Sequence, residues 1–347
     1  PFLPLLTAAA VCMAQPVVAP SPEPVGARRG ENVGGYNIVN SWEIGYRART
    51  LGGSEGKYRS DVNFGNGVRL LANQVGVYSR DGRGKYFDEF VLNTQGLGND
   101  PYQSATLRFQ KNKLYRYDLL WRLNEYFNPG LIISGGQHLM DTSRRWQDHD
   151  LTLLPQSRVR LLAGYSRNAQ DGPALTTLNV DGALGDEFPL FAGVRRVRNE
   201  YRLGGVVDLA GFQFTFVRGW ENFKEDTPYS LTAPREGNHA ADEVTLSSLR
   251  RDEPYHGNTR SWRVSLSSEQ KRHYAVNGRF TYSAGERAFL VDEYYTGTNR
   301  LAAERNRQLL VFGTGRRPVA TGNLTLTLLP TPRFTVANHT ALYHVRT

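Results

Sequence analysis

Arginine is the residue type through which this chain could do chemistry. Arg47, Arg49, Arg116, Arg122, Arg158, Arg160, Arg202, Arg263 and Arg279 fall in stretches where apolar and polar residues alternate. Successive side chains of a strand point to opposite faces, so each of these guanidinium groups turns away from its apolar neighbours and toward a polar side. Guanidinium groups fixed along a water-filled wall raise the local concentration of anions, as in an anion-preferring pore. Glu43, Asp118, Glu200 and Asp208 fall on the same faces. The alternative is therefore a ladder of ion pairs that only satisfies a polar wall.

Other groupings have less to offer. Asp148-His149-Asp150 has the composition of a metal or acid–base cluster, but three consecutive strand residues cannot all point one way, so it reads as a polar strand edge. His138 and the remaining histidines lack metal-ligand spacing. Gly52-Gly-Ser-Glu-Gly56-Lys57 superficially matches a phosphate loop, without the following Ser/Thr or a strand-to-helix context. Gly65, Gly67, Gly313 and Gly315 read as turn or bulge glycines. No Ser/His/Asp arrangement can be placed. The chain reads as a non-enzyme with no catalytic residue, metal or cofactor.

The elements that must hold these arginines are strands. Residues 113–125 put Tyr115, Tyr117, Leu119, Trp121 and Leu123 on one face and Arg116, Asp118, Leu120, Arg122 and Asn124 on the other. That length suits a tilted strand crossing a bilayer. The same alternation begins at Trp42 and is predicted over 41–50, 68–79, 86–95, 105–110, 151–154, 158–165, 201–209, 212–220, 262–268, 274–282, 289–295, 308–313, 324–329 and 333–336, with a last strand entered at 341. About fifteen strands are visible, and no helix-period segment competes. Connections after Ser79, Gln110, Leu154, Leu209, Ser268 and Leu329 are short, while those after Thr50, Glu125, Tyr165 and Phe223 are long and polar. Short turns thus collect at one end and long loops, 126–147 among them, at the other. Trp42, Tyr46, Tyr115, Trp121, Tyr165, Trp220, Trp262 and Tyr282 sit on the apolar faces, many near strand ends, where a lipid-facing aromatic girdle would lie.

Composition narrows the class. The 347 residues are 39% hydrophobic, with mean hydropathy −0.49 and no run of 18 apolar residues, which excludes helical membrane spans but not a barrel, whose alternate residues alone meet lipid. Lys and Arg outnumber Asp and Glu by 42 to 33, giving +9, yet the charge is spread rather than gathered into a nucleic-acid patch. Residues 1–14 look like the remnant of a secretory signal, with a cut after Ala14. The only cysteine, Cys12, lies inside it, so the exported chain would have no disulfide, thiolate or covalent haem. Residues 15–40 read as a flexible periplasmic leader and 41–347 as one barrel, truncated at its C-terminus since it stops in mid-strand without a final aromatic residue.

These features together resemble the Gram-negative outer-membrane β-barrel class. The resemblance is carried by the exported start, the alternating strands from Trp42 to Val336, the unequal connections and the aromatic ends. It implies an all-β, antiparallel, up-and-down transmembrane barrel, incomplete at both chain ends and located in the cell outer membrane. Its role would be a pore or trans-membrane scaffold, with outer-membrane lipid as its surroundings and no nucleic-acid partner. Without a plug domain before Trp42 the chain is unlike TonB-dependent receptors. It is similar, in lacking a plug and in its polar strands, to barrels that sheath multihaem cytochromes in electron conduits, which would add a periplasmic or multihaem partner protein. The alternative from another class is a secreted all-β carbohydrate-binding protein with aromatic faces as sugar platforms.

Overall fold

The computed structural model describes residues 30–133, 136–179, 187–231, 233–237, 244–268, 273–299, 301–331 and 333–346. The expected signal remnant 1–14, with Cys12, and leader residues 15–29 lie outside them. Seventeen strands join in one antiparallel sheet: β1 (Glu31–Val33), β2 (Tyr36–Arg47), β3 (Gly67–Ser79), β4 (Glu89–Leu97), β5 (Tyr102–Lys111), β6 (Tyr115–Ile133), β7 (Gly136–Leu153), β8 (Val159–Asn179), β9 (Glu187–Leu209), β10 (Phe212–Glu225), β11 (Pro228–Ser230), β12 (Arg235–Glu236), β13 (Thr245–Asp252), β14 (Tyr255–Ser268), β15 (Tyr274–Thr298), β16 (Glu304–Thr331) and β17 (Phe334–Val345). Thirteen of them, β2–β10 and β14–β17, form a continuous up-and-down meander. Strands β11 and β13 fill the space between β9 and β15 beyond the ends of β10 and β14. Among the described residues, β17 pairs with β16 alone, and no ladder joins it to β1 or β2.

Tight turns explain the short connections. Ala210 and Gly211 both take positive φ, 52° and 83°, between the paired residues Leu209 and Phe212. That is the two-residue hairpin whose twist matches the flanking strands. Lys113 (φ 65°) and Leu154 (φ 55°) turn the chain at the same end.

Several expectations need correction. Residues 31–33 and 36–40, assigned to the leader, already form β1 and the start of β2. The link after Thr50 contains a helix, α1 (Glu55–Asp61), capped by Ser54, whose Oγ accepts from the Lys57 backbone N–H at 3.3 Å. The glycine-rich run read against a phosphate loop is thus the entry to a two-turn helix, with Lys57 paired to Asp61 at 3.0 Å. The long loops expected at 126–147 and after Tyr165 are largely strand, as β6–β9 continue far past the predicted ends. The stretches 289–295 and 308–313 are not separate strands but parts of β15 and β16, and Gly313 and Gly315 lie inside the β15–β16 ladder opposite Phe289 and Arg287. Merging these and adding β1 and β11–β13 changes the predicted fifteen strands to seventeen.

Candidate functional site

Register assigns every meander residue to one of two faces. One row of partners runs Asp118, Asp150, Gly164, Arg202, Gly219, Ser261, Ser283 across β6–β10, β14 and β15. The neighbouring row on the other face runs Leu119, His149, Tyr165, Tyr201, Trp220. All eight predicted girdle residues share the second, apolar face, and Arg47, Arg116, Arg122, Arg160, Arg202, Arg263 and Arg279 share the first.

The charged face is a connected ladder. Asp118 accepts from the Nε of Arg108 and of Arg116, each at 2.7 Å. Arg202 donates from Nη2 to Asp148 at 3.0 Å and Asp150 at 3.1 Å, two strands away across β8. Arg263 reaches Glu200 across β10 at 3.1 Å, and Arg287 reaches Glu221 across β14 at 3.4 Å. Arg160 pairs with Asp208 at 2.9 Å. Strands two apart are about 9.6 Å distant. A guanidinium spans that gap only if the middle strand leaves room, and glycines supply it. A Cβ on Gly164 would lie 2.7 Å from Arg202 Nε and 2.9 Å from Asp150 Oδ1. Gly257 makes room for Arg287 in the same way, at 2.7 Å from its Cδ.

The Asp148–Asp150 motif is therefore part of this wall. Its two carboxylates face Arg202, while His149 lies on the apolar face, its Nδ1 hydrogen-bonded to the Tyr117 hydroxyl at 2.7 Å. Not every predicted arginine joins the ladder. Arg47 pairs with Asp100 at 2.9 Å beside Arg69 and over the Phe64 ring, at the long-loop end. Arg49 lies beyond β2, 3.5 Å from Glu55 of α1 and over Tyr58. Arg122, Arg158 and Arg279 have no ion pair with another described residue. Sequence reasoning passed over Arg144, Arg196, Arg198 and Arg287 because they fell outside the predicted strands. The signal for two of them was present: Arg196, Arg198, Glu200 and Arg202 place four charges at strand period.

The apolar face is banded. Near the short turns, Tyr36, Phe87, Phe90, Phe109 and Tyr115 form a chain of rings with centroids 5.0–6.3 Å apart, and Phe212 stacks on Tyr274 at 6.1 Å. Higher up, a second belt comprises Trp42, Trp121, Tyr165, Tyr201, Trp220, Trp262 and Tyr282. It drifts by a few residues across the ladder, as strands tilted to their hydrogen-bonding rows require. Tyr46 shares this face but lies above the belt, beyond the β3 bulge at Leu71. From Phe212 to Trp220 is eight residues, about 26 Å along the strand. Above the belt the same face turns polar, with Glu125, Arg145, Arg167, Asn199, Asn222, Arg260, Glu286 and Arg316.

Strand β9 carries the whole pattern. Below Tyr201 its apolar side chains are the exposed ones, Leu203 at 56% and Leu209 at 64%, and its other face holds Arg202 and Glu200. Above Arg196 the ladder's face turns apolar, while the opposite face is mixed, with Arg195, Gly193 and the exposed Phe191. Val194, Ala192, Leu190 and Phe188, on the charged ladder's face, are buried to between 8% and 0% exposure. They pack with Tyr229, Leu246, Leu249 and Tyr295 as the most deeply buried core of the described chain. No protein-family model matches the chain, and no curated protein matches it.

Proposed function

We propose that residues 31–346 form the wall of an outer-membrane β-barrel, with the apolar band against lipid and the arginine–carboxylate ladder toward water, giving a passive and mildly anion-preferring path or scaffold. The observation that carries this reading is that β9 exposes apolar residues on one face below Tyr201 and buries apolar residues on the other face above Arg196. In water alone, a strand gains nothing from exposing Leu203, Val207 and Leu209 while a few residues later it buries Val194, Ala192, Leu190 and Phe188 on its opposite side. A strand that leaves a bilayer must do so: lipid takes the outer apolar residues below the interface, and above it an aqueous domain needs its apolar residues inside. Two aromatic belts at the two limits of the apolar band fit amphipathic rings at headgroup level. The exposed β-face of a secreted carbohydrate binder has no reason to end at a common height on seven strands.

The lumen charge fits a modest preference for anions. Most arginines of the wall are neutralised at hydrogen-bonding distance, while Arg122, Arg158 and Arg279 of the predicted set, and Arg144 besides, have no ion pair with another described residue. Reconstitution in planar bilayers tests the reading. The expected result is a conductance whose reversal potential indicates anion preference and shifts toward cations in Arg122→Glu and Arg279→Glu. Solubility without detergent, together with no heat-modifiable band on a denaturing gel, would refute the membrane assignment. Clear cation preference of the wild type would refute the selectivity.

A further inference from the structure

Between the ladder and the buried apolar cluster lies a cavity of about 470 Å³ on the charged face. Arg144, Arg196, Arg198 and Arg287 line it, on β7, β9 and β15, with Glu221 and the Phe223–Tyr255 ring pair. Its charge is not balanced. Four guanidinium groups meet two carboxylates: Glu221, shared by Arg198 and Arg287, and Glu225, paired with Arg196. Arg144 has no carboxylate partner among the described residues; its Nε donates to Asn168 Oδ1 at 3.0 Å and its guanidinium lies over the Trp146 ring at 4.9 Å, which leaves both terminal nitrogens without a hydrogen-bond acceptor among them.

The depth of these groups decides what a solute would meet. Glu221 and Glu225 keep 14% and 20% of their side-chain surface, whereas Arg198 and Arg196 keep 54% and 47%. The carboxylates thus lie beneath and hold the guanidinium groups in place, while the surface offered to the cavity is guanidinium. An unpaired guanidinium beside two that are fixed from behind presents forked N–H donors, the geometry that matches a tetrahedral oxyanion bidentately. The net excess is two positive charges. Asn168 and Gln170 on β8 add neutral amide groups on one side.

We propose that this cavity is a binding site for a small doubly charged oxyanion, phosphate or a phosphate monoester, placed where the charged path meets the apolar cluster. The proposal rests on the charged face being the water-filled side, so its test is made independent of conductance. Inorganic phosphate is titrated calorimetrically into the purified full chain in detergent, at constant ionic strength set with chloride. The expected result is saturable binding with one phosphate per chain, not reproduced by acetate, and weakened about tenfold in Arg144→Gln, with Arg144→Lys intermediate. Arg144 is chosen because its removal strands no carboxylate. Absence of saturable phosphate binding to folded wild-type protein, or equal affinity in Arg144→Gln, overturns the proposal. Phosphate binding that persists in a protein without conductance would sink the pore reading and leave the site standing.

Discussion

Leu119 lies on β6 midway between Tyr115 and Leu123, on the apolar face, with His149 and Leu107 as its cross-strand partners. Leu120, the next residue, points to the ladder and is paired with Asp148 and Thr106. Arginine at the two positions separates the membrane reading from an aqueous one. In lipid, Leu119→Arg places a cation inside the band, about 13 Å along the strand from Tyr115 and about 7 Å from Trp121, where the cost is at most the midplane value of about 2–4 kcal/mol. The midplane value corresponds to a factor of about 30 to 700 in the folding equilibrium. On a surface facing water the same change costs within about 0.5 kcal/mol. Leu120→Arg brings its guanidinium opposite Asp148 and beside Asp118 on the same face of β6, and should stay within about 1 kcal/mol of wild type in both settings. The assay is urea unfolding in lipid vesicles, reading the shift of midpoint at unchanged slope. Equal small costs at the two positions would refute the lipid contact of Leu119, and a larger cost at Leu120 would show the assignment of faces to be inside out.

Three further outcomes follow from the same geometry. Gly164→Ala forces a Cβ to within 2.7 Å of the Arg202 guanidinium and should destabilise by about 1–3 kcal/mol, while Gly315→Ala, with nothing within 4 Å, should be neutral; matched unfolding curves test the pair. Phe188→Ala removes a fully buried ring and should cost about 3–5 kcal/mol locally. Hydrogen exchange should then rise in β9, β13 and β15 above the upper aromatic belt and stay unchanged below it. In a double-mutant cycle, Arg202→Met and Asp148→Asn should couple by about 1 kcal/mol, because hydrogen bond and charge are lost together. Strict additivity would show that the cross-strand pair contributes nothing.

The strand pattern between the two aromatic belts was legible because apolar and polar types largely alternate over 113–125 and 201–220, with Leu120, Val206 and Val217 on the charged face and Arg218 on the apolar one as the exceptions. The faces of the belt aromatics and of most of the wall arginines follow from parity alone. What escaped was much of the region above the upper belt, although 289–295 and 308–313 read as strand there. There 126–147 and 187–199 hold no single alternating phase and read as loops, although the ladders of β6–β7 and β8–β9 run through them. The short helix α1 was hidden because one capped two-turn segment carries too few residues to show a period. Asp148 and Asp150 looked like a strand edge, since nothing local to them names Arg202, 54 and 52 residues away. Parity along the chain thus determined which residues share a face. Which charges meet was decided only by register, because an ion pair that crosses an intervening strand depends on a glycine lying between its two ends. The same register produced the unbalanced arginine cavity, assembled from strands that are distant in sequence.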